Sequence, residues 1–128
     1  MSVVVTRVGQ ITRTVSDLET SIKWYQKYLG LRCQFQFEGM AFLICDGIRI
    51  MLSRADVVQP ESILYFEIRD LKSAIKALEL KGVTILQMPH KIHQHGDGTQ
   101  EWMAFINDPD QRPIGLIEKL HPPADDPE

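Results

Sequence analysis

A weak internal repeat limits the folds open to this chain. Val15-Ser16-Asp17-Leu18-Glu19-Thr20-Ser21-Ile22-Lys23 recurs 53 positions later as Ile68-Arg69-Asp70-Leu71-Lys72-Ser73-Ala74-Ile75-Lys76, with Asp, Leu, Ile and Lys at the same offsets. In both copies an alternating, strand-like run leads into Asp, an amphipathic helical pattern follows, and a glycine ends it, Gly30 first and Gly82 second. Two copies at so long a period imply paired supersecondary units rather than a solenoid, which needs three or more repeats to bury its faces.

At 128 residues the chain suits one domain with a real core, and 44% hydrophobic with 24% charged residues is ordinary globular composition. The formal charge of −3 comes with no basic run, so neither nucleic acid nor a membrane surface is expected as a partner. No apolar run approaches the roughly 20 residues that span a bilayer. Cys33 and Cys45 stand apart without a Cys-x-x-Cys pair, and the first residues lack the order of a signal peptide, so a reduced, cytoplasmic setting is expected.

Periodicity predicts a strand over 8–15, a helix over 18–29 with Asp17 as N-cap and Gly30 as C-cap, and strands over 32–37, 40–45 and 47–53 joined at Glu38-Gly39 and Asp46-Gly47. This is one βαβββ module, about 7–54. A polar stretch with Pro60, about 55–61, reads as the linker to a second module at about 62–120. There a strand over 63–68 precedes a helix over 71–81 capped by Asp70, then a strand over 83–86. Residues 87–100, with Pro89, three histidines and Gly96-Asp97-Gly98, read as irregular or as an interrupted strand. A closing hairpin, 102–107 and 114–120, turns at Asp108-Pro109-Asp110-Gln111. Residues 122–128 hold three prolines and three acids and are expected to be disordered, leaving 1–121 as a single domain.

Taken in order, Gln10-Ile11, Val15-x-Asp17-Leu18, Trp24-Tyr25, Leu29-Gly30-Leu31 and Asn107-Asp108-Pro109-Asp110 resemble the vicinal oxygen chelate superfamily, the group of glyoxalase I, bleomycin-resistance proteins and extradiol dioxygenases. The resemblance covers roughly residues 7–120. It departs at Gln111, where the family pattern has glycine, so a residue with a Cβ must accept that turn. It implies an α+β fold of two tandem βαβββ modules, a curved mixed sheet around a pocket and, often, a homodimer.

Strand alternation assigns the pocket side. Arg49, Met51 and Ser53 share one face, and pairing across the turns sets Ile44 and Phe42 beside them, continued by Phe35, Phe37 and Cys33. Gln10 and Thr12 join this half as polar groups able to orient a ligand. In the second half Ile63, Tyr65 and Glu67 share a face, and Phe105, Met103 and Glu101 lie opposite Gly115 and Ile117. Trp24, Tyr25 and Trp102 are assigned to packing, as are both cysteines.

Metal-dependent relatives take two ligands from each module, and the corresponding positions here are Gln10, Met51, Ile63 and Gly115. Among these side chains glutamine alone offers an oxygen, so the resemblance carries over no metal or other cofactor. Against this stands His90-Lys91-Ile92-His93-Gln94-His95, since imidazoles at i and i+2 of a strand share a face, and His93 and His95 with Glu101 would form a relocated site. The same histidines also suit a polar flap, or acid–base work near neutral pH. Glu67 and Glu101, with Tyr65, are the other candidates for proton transfer, and a structural pairing with Arg49 is the rival reading of the two glutamates. The sequence therefore supports metal-free binding of a small, partly aromatic or apolar molecule. The alternative is a lyase or isomerase that moves protons through His93, His95, Glu67, Glu101 or Tyr65.

Overall fold

Each copy of the repeat folds as a β-α-β-β-β unit. The computed structural model describes residues 3, 4 and 6–123, so the last five positions of the expected tail lie outside the described residues. The chain divides into two compact units, Met1–Glu61 and Ser62–Glu128. Unit 1 holds β1 (Gln10–Val15), α1 (Leu18–Leu29), β2 (Arg32–Phe37), β3 (Met40–Cys45) and β4 (Ile48–Arg54). Unit 2 holds β5 (Leu64–Glu67), α2 (Leu71–Leu80), β6 (Ile85–Gln94), β7 (Gln100–Asn107) and β8 (Pro113–Leu120). The sheet orders are β1-β4-β3-β2 and β5-β8-β7-β6, each with one parallel pair at the crossover made by its helix and antiparallel pairs elsewhere.

The helices begin where the repeated Asp predicts. Asp17 stays extended and its carboxylate accepts from the Thr20 N–H at 3.0 Å. These hydrogen bonds stabilise the ionised form and hold the Asp17 carboxyl below the usual aspartate range. The helix closes at Gly30, whose φ of 67° places it in the left-handed region and lets its N–H reach the Gln26 carbonyl at 3.1 Å. Asp70 repeats the cap, accepting from the Ser73 N–H at 3.3 Å. A second carboxylate joins it. Glu118 on β8 accepts from the Asp70 and Leu71 N–H groups at 2.8 and 3.0 Å, so two of the helix's orphan donors are met from a strand 48 and 47 residues away.

One face of each sheet carries its unit's core. In unit 1, Leu43, Ile50 and Leu52 pack with Ile22 and Tyr25 of α1, all nearly or fully buried. In unit 2, Ala104, Ile106, Ile114 and Leu116 are buried with Leu71, Ile75 and Leu78 of α2. Each large aliphatic side chain taken from water contributes roughly 1.5–3 kcal/mol. Trp102 belongs to this side as expected, with the Lys72 ammonium 4.8 Å from its ring centroid.

Three expectations need correction. Cys33 does not continue the face of Phe35. A bulge at Gln34 sets Cys33 opposite buried Leu43 and Phe35 opposite Phe42, so Cys33 turns toward α1. There burial and the negative charge of Glu19 push its thiol pKa up. Second, the strand expected over 83–86 starts at Ile85 and continues to Gln94 with register shifts at three places, so 87–94 takes the interrupted-strand alternative rather than the irregular one. It is an edge strand, and Pro89 needs no ladder partner on its outer side. Third, β5 starts at Leu64, leaving Ile63 just outside the strand. Smaller differences are a β1 that starts at Gln10 and an α2 that ends at Leu80.

Candidate functional site

The face of each sheet away from its helix is open, and the strand register arranges its side chains in rows. In unit 1 one row runs Gln10, Arg49, Ile44, Arg32; the next runs Thr12, Met51, Phe42, Phe35; a third runs Thr14, Ser53, Met40, Phe37. All six unit 1 residues expected to contact a ligand, Gln10, Thr12, Phe35, Phe42, Arg49 and Met51, lie on this face. The Asp46-Gly47 turn fixes the register. Positive φ at both residues, 47° and 81°, is the two-residue hairpin geometry that sets Cys45 opposite Ile48 and hence Phe42 opposite Met51.

The face is apolar and partly aromatic, and it is left to solvent. Phe35 and Phe37 are 55% and 59% exposed. Phe37 stands edge-on to Phe42 at 6.2 Å between centroids, and the Arg49 guanidinium lies 5.6 Å from the centre of the Phe42 ring. Gln10 Nε2 reaches the Met51 sulfur at 3.9 Å. At the rim, Glu61 accepts from both the N–H and the hydroxyl of Thr14, at 2.8 and 2.6 Å, occupying part of the outer edge of β1.

In unit 2 the rows are Tyr65, Gly115, Phe105, Gln87; then Glu67, Ile117, Met103, His90; then Lys119, Glu101, His93. Register thus brings Tyr65, Glu67, Glu101, Met103, Phe105, Gly115 and His93 to one face. Tyr65 packs edge-on against Phe105 at 5.9 Å, and its ring covers Gly115 so closely that a Cβ there would sit 2.4 Å from Cδ1 and 2.7 Å from Cε1. The glycine is therefore a space-making residue for the phenol. His95, just past β6, bonds Glu101 through Nε2 to Oε2 at 2.8 Å, and its ring meets His93 edge-on at 4.5 Å. Glu67 is not part of this cluster: it shares a row with Ile117 and Met103, and no bond joins it to Glu101.

The hairpin that carries β7 and β8 is held by Asp108, which is 3% exposed. Its carboxylate accepts from the Asp110 and Arg112 N–H groups at 2.9 Å and pairs with the Arg112 guanidinium at 3.2 Å. Gln111, at φ 62°, adopts the left-handed geometry of the family's glycine, and its side chain accepts from Asn107.

The family's metal positions do not fit a hard or borderline cation here. Gln10 meets a thioether, Met51 supplies that thioether, Ile63 offers no donor, and the space over Gly115 is taken by a ring. Among the described residues no group of three or more His, Cys, Asp or Glu side chains is arranged to hold a metal ion, the His93, His95 and Glu101 cluster included.

Two residues of the open faces escape sequence alternation. His90 enters the Met103 row because β6 shifts register around Met88-Pro89, and Arg32 enters the Arg49 row because of the bulge at Gln34. A bulge inverts the parity on which alternation rests; Pro89 marks the one in β6, and no turn residue announces the one at Gln34.

Comparison with known proteins bears on both units. A family model described as Glyoxalase/Bleomycin resistance protein/Dioxygenase superfamily matches residues 7–114. No curated protein matches the sequence. Among solved structures, an integron cassette protein from the mobile metagenome of V. cholerae is similar at 25% identity and TM-score 0.74, over 92% of this chain and 98% of that one. A virulence protein from Salmonella typhimurium is similar at 21% identity and TM-score 0.73, over 91% and 98%. A lactoylglutathione lyase from Agrobacterium tumefaciens shares the fold at 16% identity and TM-score 0.66, over 88% and 93%.

Proposed function

The chain belongs to the Glyoxalase/Bleomycin resistance protein/Dioxygenase superfamily, and on that premise we propose that it binds a small, partly aromatic or apolar molecule without the family's usual metal. The observation that carries this is the donor set. At three of the four family positions a thioether, an isoleucine and a glycine under a phenol ring stand where oxygen or imidazole ligands are needed, and Gln10 alone carries an oxygen. What remains is an exposed aromatic face in unit 1 with a few polar groups at its edge, the composition that small-molecule sites share. Residues 1–121 act as one domain in this reading, as a homodimer in the cytoplasm. Two free cysteines agree with a reducing compartment, and no described helix is long and apolar enough to cross a membrane.

A second reading has one specific observation in its favour. The bond between His95 and Glu101, with His93 against it, is a ready proton-transfer pair, and it supports a lyase or isomerase. The two readings diverge on substitution. Under sequestration, His93→Ala and Glu101→Ala lower affinity only modestly, whereas a proton-transfer catalyst loses about 100-fold or more in rate with its acid or base.

The deciding measurement is the metal content of tag-free protein, prepared without chelators and again after loading with Ni²⁺, Zn²⁺, Mn²⁺ or Fe²⁺, beside a His93→Ala/His95→Ala double variant. Well below one equivalent in every preparation is expected. Near-stoichiometric metal that the double variant loses would overturn the metal-free reading and place the chemistry at the histidine cluster.

A further inference from the structure

We infer that the molecule taken by the unit 1 face is an amphipathic organic anion: a flat apolar body bearing a carboxylate, sulfonate or phosphate that a pair of arginines receives. This rests on the small-molecule reading above and narrows it to one chemical class.

The bulge at Gln34 is the origin of the site. It shifts β2 by one residue against β3, so Arg32 faces Ile44, and Ile44 faces Arg49. Arg32 and Arg49 thus stand on the same face two strand spacings apart, roughly 10 Å at the Cα atoms. Their stems are long enough for both guanidinium groups to approach the space over Ile44, and the planar fork suits an oxyanion. Gln10, next in the row, places an amide donor beside Arg49. A third cation stands at this end of the sheet. Arg7 Nη1 lies 3.4 Å from where a Cβ on Gly47 would be, in the turn that leads into β4.

Among the described residues none of Arg7, Arg32 and Arg49 forms an ion pair, and the three rows of the open face contain no carboxylate. Asp46, in the turn beside Gly47, takes part in no ion pair among the described residues. In a chain of net charge −3 such a row runs against the overall balance and repels itself until an anion arrives. The aromatic row adjoins it directly. Phe42 is two residues along β3 from Ile44, Phe35 directly follows the bulge, and Arg49 already leans on the Phe42 ring. A ligand spanning one row to the next lays its ring on Phe35, Phe42 and Met51 while its charged end reaches the arginines.

The test uses two dyes with the same ring system, 8-anilinonaphthalene-1-sulfonate and the neutral N-phenyl-1-naphthylamine, titrated by fluorescence into the folded full-length protein. The sulfonate should bind about 10–100-fold more tightly, the margin of a charged hydrogen bond. Arg49→Gln and Arg32→Gln, both on exposed side chains, should each remove about tenfold of that preference and leave the neutral dye within about twofold, whereas Phe42→Ala should weaken both dyes. Circular dichroism verifies the fold of each variant. Equal affinity for the two dyes, or no effect of either arginine substitution, would overturn the anion inference and leave the small-molecule reading standing. Failure of both dyes to bind, or binding indifferent to Phe42→Ala, would overturn both.

Discussion

Gly115→Ala is a direct trial of the packing that fills the second unit's open face. A Cβ at this position falls 2.4 Å from Tyr65 Cδ1 and 2.7 Å from Cε1, against an ordinary carbon–carbon separation of about 3.5–4.0 Å. The ring must therefore move by at least about 1 Å. Tyr65 is 49% exposed, so it can swing into solvent without displacing the backbone. It then loses its edge-on contact with Phe105, about 0.5–1.5 kcal/mol, and the burial of roughly half a ring, about 1 kcal/mol. Alanine recovers about 0.5–1 kcal/mol by restricting the unfolded chain relative to glycine. The net expectation is a loss of about 0.5–2 kcal/mol. In a Tyr65→Ala background the collision is gone, and the same substitution becomes neutral or stabilising by up to about 1 kcal/mol. Urea denaturation of the four proteins, followed by far-UV circular dichroism, gives the coupling, expected at about 1.5–2.5 kcal/mol with unchanged m values. If Gly115→Ala is equally costly in both backgrounds, the phenol does not occupy this space, and the case against a side-chain ligand at this position weakens with it.

Leu43→Ala, which empties a fully buried position against α1, should cost about 2–5 kcal/mol by the same denaturation assay. Asp108→Ala should cost about 2–4 kcal/mol, because Arg112 loses its nearer carboxylate, with Asp110 still 3.8 Å away, and two turn N–H groups lose their acceptor; a loss below 1 kcal/mol would deny the turn its structural role. Two carboxylates bonded to nearby backbone N–H groups, one at a helix cap and one in a loop, give a pH signature. Asp17 and Asp97 have carboxyls held low by backbone N–H groups of Thr20 and Thr99, so their stabilisation is complete above the ordinary aspartate pKa of about 3.9 and disappears as pH falls through the lower folded values. Urea midpoints taken from pH 6 down to 3 should fall less steeply for Asp17→Asn than for the wild type. Glu19→Gln should speed alkylation of Cys33 by iodoacetamide at pH 8, since removing that charge lowers the thiol pKa; an unchanged rate would leave burial as its sole cause.

Much of this architecture was legible before any coordinates. The repeated Asp-Leu marks both helix starts, and Asp46-Gly47 sets the β3–β4 register that puts Ile44 beside Arg49 and Phe42 beside Met51. These features depend on neighbours in sequence. The bulges do not. The one at Gln34 lies in the pairing of β2 with β3, and it moves Cys33 to the helix side while delivering Arg32 to the open face. Extension of β6 through Pro89 depends on its place at the sheet edge, which no local pattern reveals. Gly115 looked like a lost ligand position; that it makes room for Tyr65 is a fact of cross-strand packing. Of the candidate proton-transfer residues, alternation grouped Glu67 with Glu101, whereas the rows separate them and join Glu101 to His95.

The attachment of Glu118 to the start of α2 gives the two helices different histories. The cap of α1 spans three residues, so it is complete as soon as Thr20 has left the ribosome. Two of the first N–H groups of α2 instead wait for a carboxylate 47 and 48 residues downstream. Closing so long a loop is slow relative to helix growth, and α2 should reach full protection only when β8 docks. Pulse-labelled hydrogen exchange during refolding would register this as a delay between the Thr20 amide and those of Asp70 and Leu71, and Glu118→Ala, which removes both acceptor oxygens, would expose the second pair without touching the first. Two segments that share an ancestral pattern would then mature at opposite ends of the folding sequence.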